Sequence, residues 1–175
     1  CMYQESLKIP FIISLPGVIK PGSNSDPMIQ NIDYAPTFLQ MAKADIPNDM
    51  QGRSIVPLLK GKKPKNWRDA IYYHYYEYPS VHMVPRHNGI RTERYKLMHF
   101  YHFDEWEFYD LKKDPDELDN LYNNPEYAKI LKRMKKKLTK LTKKYADDSN
   151  RDIMPEQWQK DVRAGVKVIS PPPKG

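Results

Sequence analysis

"RHNGIRTERYKLMHF", residues 86–100, alternates apolar and polar side chains up to Glu93-Arg94 and again beyond it. A period of two belongs to a strand with one buried face. The segment therefore predicts a hairpin: Ile90 and Thr92 lead to a turn near Glu93-Arg94, and residues 95–101 return. Ile90, Tyr95 and Leu97 supply the buried side. The polar residues between them, His87 and Arg91 among them, form either a binding surface or only the wet face of a sheet.

Strands continue on both sides of the hairpin. "DAIYYHYYEY" (69–78) has the aromatic composition of a strand and stops at Pro79, and "EWEFYDL" (105–111) reads as another, so three or four antiparallel strands result. Asp114-Pro115 and Asn124-Pro125 each set a capping residue before a proline, which predicts a helix start at both. From Glu126 onward Tyr127, Ile130, Leu131, Met134, Leu138, Leu141 and Tyr145 recur at three and four residues. That spacing predicts one long helix with its apolar stripe on the sheet and its lysines in water. Upstream, "LKIPFIISLPG" (7–17) is a short apolar run that reads as a buried strand of an α/β sheet. Asp33 precedes a helix expected from about Ala35 to Ala44, where N-capping is favoured over a catalytic role. A Lys/Pro/Gly linker at 60–66 sets the expected division: 1–60 as the end of an α/β domain, 61–147 as an antiparallel sheet with its helix, and 148–175, ending in "SPPPKG", as a poorly ordered tail. The fold class is α+β.

A length of 175 residues is enough to bury a core. The formal charge of +7 is local, because nine of the 29 basic residues lie between Lys129 and Lys144 and the 20 that remain meet 22 acids. No aromatic residue is interleaved on that basic face, so a nucleic-acid partner is not expected. Attraction of an anionic glycan competes with the reading of a merely solvated face. No apolar run reaches the roughly 20 residues of a membrane span. Cys1 is the one cysteine, which leaves no internal disulfide and no cysteine-based metal site. The sequence opens Cys-Met-Tyr in mid-pattern, with neither initiator methionine nor signal peptide, as a piece of a longer protein would.

Five segments, in family order and spacing, resemble the carboxyl-terminal part of a type I sulfatase of the alkaline-phosphatase-like superfamily. They are "MYQESLKIPFIISLPGVIKPG", "NIDYAPTFLQMA", "MQGRSIVPLL", "GIRTERYKLM" and "FYDLKKDPDELDNL", spanning Met2 to about Leu121. The resemblance implies an upstream α/β domain bearing the nucleophile, a cysteine or serine matured to formylglycine within Cys/Ser-x-Pro/Ala-x-Arg, together with calcium held by acidic residues. Cys1 is followed by Met2, Tyr3, Gln4 and Glu5 and does not fit that motif. No catalytic residue, metal ligand or cofactor is therefore expected in this chain, and calcium and formylglycine are implied upstream. The parent enzyme would hydrolyse a sulfate ester on a carbohydrate, in the periplasm or outside the cell, and this chain alone would be inactive. Its expected partners are the upstream domain, the sulfated carbohydrate and a second copy met through an exposed strand edge.

His82, His87 and Arg91 are the candidate substrate-binding residues. They lie in and just after a segment bounded by Pro79 and Pro85, where side chains reach a pocket instead of a core. Imidazole and guanidinium both donate to hydroxyls and sulfates. A rim position for His87 implies that its removal leaves stability nearly unchanged. His74, on the opposite strand face from Tyr73, Tyr75 and Glu77, reads as a satisfied core or interdomain residue. Two alternatives stand beside the enzymatic reading: a module that binds anionic glycans through the helix, and a purely structural cap.

Overall fold

The computed structural model describes residues 2–78, 83–147, 160 and 164. Its elements run α1 (Gln4–Leu7), α2 (Tyr34–Met41), α3 (Val56–Leu59), β1 (Ala70–Tyr75), β2 (His87–Thr92), β3 (Tyr95–Phe100), β4 (Glu105–Asp110) and α4 (Ala128–Lys144). They form two compact units, one of Cys1–Ile9 with Ala70–Gly175 and one of Pro10–Asp69.

In the first unit the strands make an antiparallel meander in the order β1-β2-β3-β4. The turn between β2 and β3 falls at Glu93-Arg94, where the Tyr95 backbone N–H donates to Thr92 Oγ1 at 2.9 Å. Across the ladder Tyr72 faces Ile90, Ile90 faces Leu97, and Leu97 faces Phe108. Ile90, Leu97 and Phe108 pack against Tyr127, Leu131, Met134 and Leu138 of α4 and the turn before it. Helix and sheet thus close one core, as the apolar stripe predicts. Asn124 caps the helix entry by accepting from the Glu126 N–H at 3.0 Å. Asp114 starts no helix; its carboxylate accepts from the Asp119 N–H at 2.9 Å and closes a turn. The expected tail falls outside the described residues, apart from Lys160 and Ala164.

The opposite face of the sheet is covered by the start of the chain. Met2 is buried with Met98, Phe100 and Tyr109, and Tyr3 and Leu7 pack beside them. Lys96, 0% exposed, donates from Nζ to the Met2 carbonyl at 2.6 Å and forms an ion pair with buried Glu117. Glu117 also accepts from the Gln4 N–H at 2.7 Å. Gly89 leaves room for this contact, since a Cβ there would lie 2.4 Å from the Leu97 carbonyl oxygen and 2.6 Å from Met2 Sδ. The first nine residues therefore belong with the sheet and not with 1–60 as expected.

In the second unit α2 and α3 gather around Asp33, which is 0% exposed. Asp33 does not cap α2 with its side chain. Its carboxylate accepts from the backbone N–H groups of Gln30 and Arg53, each at 2.8 Å, and from the Arg68 guanidinium. Arg53 in turn donates to the Asn66 carbonyl, and Trp67 Nε1 donates to the Met28 carbonyl. Residues 61–69 are tied into this unit by those bonds, which moves the division to Asp69/Ala70 from the expected linker. The run from Ile9 to Leu15 forms no strand, and Ile12 is 93% exposed.

Candidate functional site

His87 and Arg91 stand on the same face of β2, at alternate positions either side of Gly89. His87 is fully buried: Tyr73, Tyr75 and Phe100 surround its ring with centroids 5.8, 5.4 and 4.9 Å away. Its Nδ1 lies 2.7 Å from the Pro85 carbonyl, to which it donates. The other ring nitrogen is then the acceptor, and it has no hydrogen-bond partner among the described residues. Burial lowers the His87 pKa, with the Pro85 bond opposing, so the ring is held neutral. This is a packed position and not the rim position expected for it, because the strand period that put His87 on a polar face left open what covers that face.

Arg91 is half-buried beside α1. Its Nε donates to Gln4 Oε1 at 3.4 Å, and burial draws its pKa down while Glu117 and Glu93 oppose. A guanidinium with one long neutral contact keeps donors available. Its neighbour in sequence, Arg94, is committed to a two-pronged pair with Asp110 at 2.8 and 2.7 Å. His82 lies outside the described residues.

Two clusters occupy the helix side of the sheet. Asp147, just past α4, accepts from the hydroxyls of Tyr72 and Tyr76 and bonds His74 Nδ1 at 2.6 Å, while His74 Nε2 lies 2.9 Å from the Tyr101 hydroxyl. His74 is a satisfied residue, as expected. Burial alone would raise the Asp147 pKa; the bonds from Tyr72, His74 and Tyr76 outweigh it and hold the carboxyl below the usual range. Further along, His99 stacks on Trp106 at 3.8 Å and Lys135 Nζ sits 4.2 Å over the same indole. Among the described residues no group of three or more His, Cys, Asp or Glu side chains comes together to hold a metal ion.

Glu117 and Asp147 escaped sequence reasoning. In "DPDEL" the local signal is the Asp114-Pro115 cap, yet Glu117 takes a left-handed φ of 56° and turns its carboxylate onto Lys96. Nothing in the local pattern signals a partner 21 residues away in sequence.

Residues 1–144 match the family described as N-sulphoglucosamine sulphohydrolase, C-terminal. The chain belongs to that family. It is similar to an N-acetylglucosamine-6-O-sulfatase of Bacteroides thetaiotaomicron, 49% identical over 150 residues that cover 84% of this chain and 27% of the relative. An arylsulfatase of Clostridium perfringens is 32% identical over 142 residues, covering 79% of this chain and 28% of its own. A solved structure in complex with its substrate D-glucosamine-2-N,6-O-disulfate superposes with a TM-score of 0.73 at 49% identity, over 76% of this chain and 28% of that one. The chain thus spans between a quarter and a third of these relatives' length, and it is a carboxyl-terminal sulfatase region with the α+β architecture described above. Among the described residues no helix is long and apolar enough to cross a membrane.

Proposed function

We propose that the whole protein hydrolyses a sulfate ester on a carbohydrate, with a 6-O-sulfated glucosamine residue as substrate, and that this chain forms part of the wall beside the reacting group. The observation that carries the reading is the 49% identity over 84% of the chain to an N-acetylglucosamine-6-O-sulfatase. Arg91 and His82 would donate to the sugar. His87 would act as a positioning residue, since its Nδ1–H fixes the Pro85 carbonyl and with it the end of the segment that carries His82. Nucleophile and cation belong, on this reading, to the part of the protein that precedes Cys1, as formylglycine and calcium. A periplasmic or extracellular location goes with the reading. So does self-association of the isolated chain, through the exposed apolar side chains Ile9 and Ile12 in place of the expected strand edge, since residues 9–15 form no strand.

The full-length protein should release sulfate from 6-O-sulfated N-acetylglucosamine, and the 175-residue chain should release none. Arg91→Ala in the full-length protein should lower kcat/KM for the saccharide roughly tenfold to a hundredfold, the effect of one lost charge-assisted bond, and leave a small aryl sulfate nearly unaffected. Equal losses on both substrates would remove Arg91 from the sugar site.

A further inference from the structure

α4 carries a feature that ester cleavage does not use. Lys129, Lys132, Lys136, Lys140 and Lys143 recur at three and four residues with Arg133 beside Lys132, so the six line a single face. All six are exposed, and none has an ion-pair partner among the described residues. No Asp or Glu occurs between Ala128 and Lys144. Like charges at this spacing oppose the helix, a cost that interspersed acids would remove. From Lys129 to Lys143 the strip extends about 21 Å at about 1.5 Å per residue. The helix is held rigid by Leu131, Met134 and Leu138 in the core and by Asp147 past its end.

We infer that this strip is a docking surface for a sulfated polysaccharide. The inference rests on the sulfatase reading for the identity of the polyanion. Three observations narrow the partner. The apolar face of α4 is spent against the sheet, so the helix cannot lay that face into a lipid interface. The strip offers no exposed aromatic on which a base stacks, which disfavours single-stranded nucleic acid. It is almost all lysine, which meets fixed anionic charge as a series of point cations and imposes no planar fork. A sulfated chain held along it keeps its remaining esters at high effective concentration near the enzyme.

The test is calorimetric titration of the 175-residue chain with a heparin oligosaccharide long enough to span the strip. Parallel titrations use the same oligosaccharide after complete desulfation, a duplex DNA of equal length, and phosphatidylserine vesicles. Lys129→Gln, Lys136→Gln, Lys140→Gln and Lys143→Gln are combined in one variant; glutamine keeps helix propensity close to that of lysine, and circular dichroism checks the fold. A control variant removes the same charge elsewhere, with glutamine at Lys60, Lys62, Lys63 and Lys65, all exposed. The strip variant should bind heparin on the order of tenfold more weakly or worse, with a shallower salt dependence, and the control should lose far less. Equal weakening in both variants, or equal binding of desulfated sugar, DNA or vesicles by the unaltered chain, would overturn the inference. Turnover of a 6-O-sulfated monosaccharide by the full-length protein reports separately. If the strip variant retains it, loss of heparin binding belongs to the strip, and if the unaltered protein lacks it, the catalytic reading fails on its own.

Discussion

His87 shows how one side chain changes role once its surroundings are known. Its ring touches Tyr73, Tyr75 and Phe100 and is closed off from solvent. His87→Ala should therefore cost about 2–4 kcal/mol, as removal of a buried ring does when the site cannot collapse. A thermal unfolding curve of the 175-residue chain checks this, and an unchanged midpoint would return His87 to the rim. Lys96 has a similar history: its place in β3 follows from alternation, but its full burial against Glu117 and the Met2 carbonyl does not. A buried ion pair of this kind fixes which segments meet more than it adds net stability.

At the scale of elements, the Asp147 carboxylate latches the end of α4 to β1, beside the stacking of Tyr72 on Tyr145. Asp147 collects Tyr72, Tyr76 and His74 across the end of the helix, and its pKa lies below the usual range. A depressed carboxyl contributes stability that is fully present above its unfolded pKa of about 3.9 and fades as the pH falls through the folded value. Acid titration should accordingly show a loss of stability below about pH 4 that is absent in Asp147→Asn, which should already be weaker at neutral pH. Denaturant melts of the two proteins between pH 3 and 7 read the difference; parallel curves would mean that Asp147 adds nothing to the latch. The hairpin, β4 and the long helix were readable from period and capping because each is specified by its own residues. Asp114-Pro115 misled for the same reason, since a cap signature without a following apolar stripe closes only a turn.

For the whole molecule, the contrast lies between a sheet covered on both faces and an apolar run with no ladder. β1 is an edge strand and turns alternate N–H groups onto β2, whereas Phe11 to Leu15 form no strand and Ile12 is almost fully exposed. Hydrogen exchange should protect those amides of Ile71 to Tyr75 that face β2 well above Phe11 to Leu15. Uniform protection in a chain shown to be monomeric would mean that the run is ordered by contacts other than those described.

By itself the sequence determined the hairpin, β4 and the long helix, the α+β class, the sulfatase family, and the concentration of charge on one helix face. Periodicity, caps and turns are properties of neighbouring residues, and the family is carried by segments that survive as strings. Only the tertiary structure decided that the first nine residues cover the sheet, that Asp33 is a buried hub for Arg68 and Arg53, and that His87 is packed while Arg91 keeps donors available. Those outcomes depend on partners dozens of residues away, through ion pairs and burial that leave no periodic trace in the chain.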